Sequence, residues 1–351
     1  MRFLIFISAI FIALLNHCFA VDLDTKIGQM LIVGFSGNSV ESEGFKHVLN
    51  QSKNGEISGI ILFKRNIKSK DDLLKLNEEL IAQSPIFPFI SIDNEGGYIQ
   101  RHDFIKNKSA KEISKLSSKE AKNEYDSMAR TLKNLKINLN FAPCVDLEIN
   151  QNSIIKKKER SYGINPNIVS KYAKIFIKSH NKQNIGTTIK HFPGHGSVKG
   201  DTHLGFVNAT KTCKEDELIP YYNLKNYDKL NMVMVSHIFN SHFDKNYPAS
   251  LSKNTINYLK EDINFKGLII SDDYDMGAIR KNYSLREIVV NSINAGINIL
   301  IFSNNIETND KTLPLKIKKI IKEEIAYGNI KIQDIEKSYQ KIIEYKKRLN
   351  N

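Results

Sequence analysis

Eight short runs of apolar, mostly β-branched residues recur along this chain, and stretches with helical spacing separate them. The runs are Gly28 to Phe35, Ile57 to Phe63, Ile86 to Asp93, Ile137 to Phe141, Gly186 to His191, Met232 to His237, Gly267 to Asp272 and Ile297 to Phe302. Most lack strict apolar/polar alternation, which is the pattern of strands buried on both faces of a parallel sheet. Between them, Asp71 to Gln83, Ser118 to Leu135, Pro166 to Asn184, Lys214 to Leu224, Lys253 to Lys260 and Leu285 to Ala295 repeat apolar residues at helical intervals. Strand and helix alternating over about 300 residues define an α/β fold, and eight strands favour a closed (β/α)8 barrel over an open doubly wound sheet. The open sheet would carry a G-x-G-x-x-G turn after its first strand. Gly34-Phe-Ser-Gly37 follows that strand without the spacing. Leu315 to Ile325 and Ile332 to Leu349 then read as two helices that close the barrel, so residues 21–351 are expected to form one domain.

The first twenty residues have a basic start at Arg2, an apolar run, and Ala20 before Val21-Asp22, the organisation of a signal peptide cleaved after Ala20. The run falls short of the about 20 residues that a stable membrane span needs. An exported protein, periplasmic or secreted, is the expectation, with no stable membrane span after cleavage. Cys144 and Cys213 are the cysteines beyond the leader and lie in no metal-binding spacing, so they read as structural or free. The net charge of +13 raises nucleic acid as a partner. The lysines are scattered and form no basic stripe with interleaved aromatics, so a solvated basic surface is expected instead, or affinity for an anionic envelope polymer.

Titratable groups concentrate between Lys190 and Gly205, where His191, His195, Asp201 and His203 lie among Pro193, Gly194, Gly196 and Gly200. Those glycines and the proline predict a loop taking over where the fifth strand stops. In a barrel of this kind the site lies at the C-terminal strand ends. Those ends carry Asp93, Asp146, Lys190 and His191, His237, Asp272 and Asp273, and Ser303 and Asn304. Asp272 closes an apolar run, where a carboxylate is costly to bury unless chemistry requires it. It reads as a nucleophile or general base, with a helix cap as the structural alternative. Asp93 and Arg101 flank a Gly96-Gly97 turn that lets them share one cavity, and the pair suits sugar hydroxyls because one accepts and the other donates hydrogen bonds.

Four blocks, Ile92-Asp-Asn-Glu-Gly-Gly-Tyr-Ile-Gln-Arg101, Glu159-Arg-Ser-Tyr-Gly163, Lys190-His-Phe-Pro-Gly-His-Gly196 with Asp201-Thr-His203, and Ser271-Asp-Asp-Tyr-Asp-Met276, resemble the signature blocks of glycoside hydrolase family 3. More narrowly they resemble its bacterial β-N-acetylhexosaminidase branch. The resemblance implies a retaining β-glycosidase that needs no cofactor or metal and acts on an amino-sugar glycan, such as a peptidoglycan fragment. It implies Asp272 as nucleophile, His203 partnered by Asp201 as general acid and then base, and sugar contacts on Asp93, Arg101, Arg160, Lys190 and His191. Tyr98 departs from the family pattern, standing where arginine is common.

The chemistry agrees with those roles. Glycoside hydrolysis normally uses two carboxyl groups, one kept protonated. A histidine that titrates near neutrality can replace the protonated one, and Asp201 two residues earlier can orient its ring and stabilise the cation. Three other functions compete. A β-glucosidase of the same family would usually bring a further domain to supply the acid/base. A metal-dependent hydrolase would bind zinc or iron on His191, His195, His203 and Asp201. A wall-glycan-binding protein would keep the sugar contacts and lose Asp272 or His203.

Overall fold

The computed structural model describes residues 21–202, 204–227, 231–304 and 310–350. The proposed leader and the proposed acid/base His203 therefore lie outside the described residues. Eight parallel strands close into a barrel: β1 (Leu31–Val33), β2 (Gly59–Leu62), β3 (Phe89–Ile92), β6 (Leu139–Asn140), β7 (Gly186–Phe192), β8 (Asn231–Val235), β9 (Leu268–Asp273) and β10 (Ile299–Phe302). Each pairs with the next in chain order, and β10 returns to β1 with Leu31 opposite Leu300 and Val33 opposite Phe302. Between β3 and β6 a two-stranded antiparallel hairpin is inserted, β4 (Asn94–Gly96) and β5 (Ile99–Gln100).

The eight apolar runs all become barrel strands, most of them shorter than the runs because flanking apolar residues bury themselves beyond the ladder: Phe35, Phe63, Phe87 and Phe141 pack into or against the core. The helices at Lys70–Gln83, Ser118–Asn134, Pro166–Asn181 and Leu285–Ala295 fall where helical spacing places them. Ser69, Ser117, Asn165 and Ser284 cap them, each side chain accepting a backbone N–H of the first turn. The fifth strand, expected over Gly186 to His191, ends one residue later than expected. Strand β7 runs on through Phe192, so Lys190 and His191 stand on the ladder itself, with a register slip between Ile189 and Phe192 against β8.

Helices Leu313–Ala326 and Ile332–Asn350 pack on the N-terminal helix Leu23–Gly28 and cover the pole opposite the loops. Lys26 pairs with Glu336, Lys322 with Asp24, and Tyr345 tilts against Phe89. Among the described residues no helix is long and apolar enough to cross a membrane. Cys144 and Cys213 are both free.

Candidate active site

The C-terminal strand ends form one mouth, and the sequence-predicted sugar contacts meet there in a continuous chain of charged groups. Asp93, just past β3, accepts from Arg101 NH2 at 3.0 Å and from Lys190 Nζ at 2.8 Å. Lys190 also reaches Glu95 Oε1 at 2.8 Å. Glu95 takes a two-pronged contact from Arg160, Nε at 2.9 Å and NH2 at 2.7 Å. Arg160 NH2 continues to His191 Nε2 at 3.1 Å, and His191 Nδ1 ends the chain on Asp146 Oδ2 at 2.6 Å. Three cations thus alternate with three carboxylates, and the middle of the chain is nearly dry, with Lys190 2% and Glu95 5% exposed, while Arg101 and Asp93 at its outer end are partly exposed.

Buried charge on this scale persists only when it is paired. Burial alone would raise the Asp93 carboxyl, but the Lys190 ammonium and the Arg101 guanidinium hold it well below the usual carboxylate range. Burial acts on Glu95 in the same direction, and Arg160 with Lys190 overcomes it, bringing that group down to about 2. Both acids are ionised at neutral pH and held as fixed acceptors by the cations on either side of them.

Asp272 ends β9. Going round the barrel it is four strands from β3 in either direction, so it faces Asp93 across the mouth. Its Oδ1 accepts the N–H of Asp273 at 2.8 Å. The neighbouring Asp273 is turned away to structural work, accepting the N–H groups of Ser303 and Asp275, and burial followed by the nearby Asp275 charge pushes it up to about 7. His237 is likewise structural: Nδ1 meets Ser250 Oγ at 2.7 Å, and Nε2 donates to the Asp273 carbonyl at 2.9 Å.

Asp201 lies on the loop that leaves β7. That loop crosses to the β9 side: Ala278 N–H donates to Thr202 O at 3.1 Å, and Lys281 Nζ donates to Leu204 O at 3.2 Å. Thr202 and Leu204, on the loop from strand β7, are thereby held against the segment that follows Asp272. Beside Asp201 opens a cleft of about 430 Å3 lined by Asn152, Ile154, Lys157, Lys199 and Leu204. Tyr98 sits on the hairpin tip, 64% exposed with Lys158 Nζ over its ring, and takes no place in the charged chain.

Two groups in the charged chain, Glu95 and Asp146, have roles that the sequence does not assign. Glu95 was visible in principle, because residues 93 and 95 share a face at strand spacing. Asp146 stands at a strand end, yet the sequence gives no sign that it would turn onto His191. Cys144, Asp146 and His191 are the group with metal-ligand spacing among the described residues, their donor atoms lying within 4.8 Å of one another. Cys144 Sγ and His191 Nδ1 both point at Asp146 Oδ2, and Arg160 occupies the other ring nitrogen, so the trio is closed by its own hydrogen bonds. Of the alternative metal set, His203 lies outside the described residues, His191 and His195 meet edge to face at 5.7 Å beside Asp146, and among the described residues Asp201 joins no group with metal-ligand spacing.

A parallel eight-stranded barrel with a charge-lined mouth, Asp272 across from a buried acid and base ladder, defines a barrel enzyme of the glycoside hydrolase class. The family model for the glycosyl hydrolase family 3 N terminal domain matches residues 22–345, and the chain belongs to that family. An uncharacterized secreted glycosyl hydrolase of Arthroderma benhamiae is 26% identical, the match covering 100% of each chain. A β-hexosaminidase of Photobacterium profundum is 31% identical over 79% of this chain and 81% of its own. Among solved structures, a glycoside hydrolase family 3 β-N-acetylglucosaminidase from Paenibacillus superposes with a TM-score of 0.85 at 25% identity, covering 94% of this chain and 63% of that one.

Proposed function

We propose that this glycoside hydrolase removes terminal, non-reducing β-linked N-acetylhexosamine, N-acetylglucosamine above all, with retention of configuration. Relatives named β-hexosaminidase and β-N-acetylglucosaminidase support the amino sugar. The observation that carries the reading is the position of Asp272 across the mouth from the Asp93, Lys190, Glu95 and Arg160 ladder. A sugar ring held by the ladder presents its anomeric carbon to Asp272, which attacks and forms a glycosyl ester. His203 gives its proton to the departing oxygen and then takes one from water, while Asp201 stabilises the imidazolium. Asp93 accepts from ring hydroxyls, and Arg101, Arg160, Lys190 and His191 complete the pocket.

The cleft beside Asp201 lies where the leaving group departs. Lys157 and Lys199 line it, neither paired with a carboxylate among the described residues. Two such ammonium groups suit a carboxylate-bearing aglycone, which supports a peptidoglycan-derived substrate. With the leader at residues 1–20, the enzyme acts outside the cytoplasm, periplasmic or secreted.

Steady-state hydrolysis of an aryl β-N-acetylglucosaminide beside the aryl β-glucoside tests this, using protein that lacks residues 1–20. Preference for the N-acetyl sugar and a fall in kcat of about three orders of magnitude or more in Asp272→Ala are expected. Equal turnover by Asp272→Ala would remove the nucleophile assignment, and preference for the glucoside would remove the substrate.

A further inference from the structure

Four backbone N–H groups of the segment that opens the Asp201 loop all end on just two buried carboxylates. Asp146 Oδ1 accepts from His191 N at 3.3 Å and from His195 N at 2.8 Å. Glu217 Oε1 accepts from Gly196 N at 2.9 Å and from Ser197 N at 3.1 Å, while its Oε2 takes Lys214 N at 3.3 Å. The carbonyls of the same stretch are held as well, Gly196 O by Asn150 N and Ser197 O by the Asn150 amide. Asp146 comes from the strand-end segment after β6, and Glu217 from a short turn at Glu215–Leu218, so the loop is gripped from both sides.

Two glycines make the grip sterically feasible. A Cβ on Gly196 would lie 1.7 Å from the Leu147 carbonyl oxygen, the residue after Asp146. A Cβ on Gly194 would lie 2.6 Å from Glu217 Cβ, and its φ of +144° is one that side-chain-bearing residues seldom adopt. The loop backbone meets each brace at a distance only glycine permits.

Asp146 also fixes the chemistry of a ring. Every guanidinium nitrogen of arginine donates and none accepts. Arg160 NH2 faces His191 Nε2, so that nitrogen is the acceptor and the ring proton sits on Nδ1, facing Asp146 Oδ2. An amide in place of the Asp146 carboxylate would present N–H groups to Nδ1 or, turned the other way, lose both backbone partners of Oδ1.

We propose that Asp146 and Glu217 are positioning residues that clamp this loop, Asp146 setting the His191 ring for the sugar pocket and Glu217 setting the stretch that leads to Asp201. The clamp rests on the proposed function for the roles of His191 and Asp201, and its first readout does not depend on activity. Nitrogen-15 histidine spectra of the wild-type protein are expected to show His191 as the Nδ1–H tautomer, and Asp146→Asn to lose that single fixed tautomer, because an amide N–H can then compete with the ring proton at Nδ1 while Arg160 still donates to Nε2. Kinetically, kcat/KM is compared for phenyl and 2,4-dinitrophenyl β-N-acetylglucosaminides, the first needing acid assistance and the second little. Asp146→Asn lowers kcat/KM about tenfold or more for both, since a sugar contact is disturbed. Glu217→Gln keeps one acceptor oxygen and the His191 tautomer, and lowers kcat/KM about tenfold for the phenyl glycoside but less than twofold for the dinitrophenyl one.

A wild-type His191 protonated on Nε2 overturns the Asp146 assignment whether or not any variant folds. Equal losses on both glycosides in Glu217→Gln reduce Glu217 to general stability and overturn its part. Wild-type protein inactive on both sugars would sink the proposed function while leaving the tautomer test standing.

Discussion

Lys190 holds the centre of the charged ladder, its Nζ shared between Asp93 Oδ1 and Glu95 Oε1 at 2.8 Å each. Burial would depress its ammonium, and the two carboxylates outweigh that and raise it. Replacing it by methionine leaves two buried acids with only Arg101 and Arg160 as partners, which is expected to cost about 3 kcal/mol of stability at neutral pH. Both acids then bind protons more readily than in the wild type. The deficit should therefore shrink as pH falls from neutral toward 4, and urea denaturation of Lys190→Met and wild type at pH 7 and pH 4.5 measures it. A deficit that stays constant with pH would mean the loss is packing rather than charge. At this scale the sequence was partly legible. Asp93, Lys190 and His191 advertise themselves by standing at strand ends and Arg101 by the Gly96-Gly97 turn that returns it to Asp93, and Arg160 needed the family resemblance because its block sits on an irregular stretch. Asp146 and Glu217 were illegible in role, since a carboxylate that accepts backbone N–H groups leaves no pattern in the residues it serves.

Helices and strands were read well where periodicity was long, and poorly where a segment was short or polar. The helix Glu43–Lys53 was missed because Phe45, Val48 and Leu49 are its only large apolar residues, too few to show a helical repeat. Strand β7 outran its expected end by one residue, Phe192, which stands just before the Pro193-Gly194 that reads as the start of the loop. The helix Pro166–Asn181 shows how one polar side chain can register an element on the barrel. Its His180 is fully buried, with Nδ1 donating to Phe176 O at 3.0 Å and Nε2 accepting from the Asn140 amide of β6 at 3.2 Å. Burial lowers this histidine from 6.5 to about 4. Between those values the unfolded chain binds more protons than the folded one, so stability is lost as pH falls through that window, by about 3 kcal/mol in full. His180→Gln should melt less steeply with acid than the wild type between pH 7 and pH 4.5. Parallel curves for the two proteins would show that His180 charges without cost.

Closure of the barrel is a property of the whole chain, because the pole opposite the site is sealed by residues from both ends. Ile335, Ile342, Tyr345 and Leu349 of the last helix are buried, and the Lys346 ammonium reaches past them to Gln29 Oε1 and the Ser58 carbonyl at 2.7 Å each, beneath the Phe89 ring. These partners belong to the first three strand regions, so the last helix secures the first strands of the barrel. Burying each large apolar side chain contributes about 1.5–3 kcal/mol, and four together approach the roughly 5–15 kcal/mol by which a domain is stable at all. Removing residues 332–351 is therefore expected to destroy cooperative folding rather than trim it, even though no residue of the mouth is touched. Near-UV circular dichroism and dye binding on the truncated protein, beside a thermal melt, would show lost tertiary packing and exposed apolar surface. A truncated protein that kept a sharp transition within a few degrees of the intact one would mean that the eight strands close unaided. The terminal helix would then be a cover rather than a part of the barrel, and the site opposite would owe it nothing.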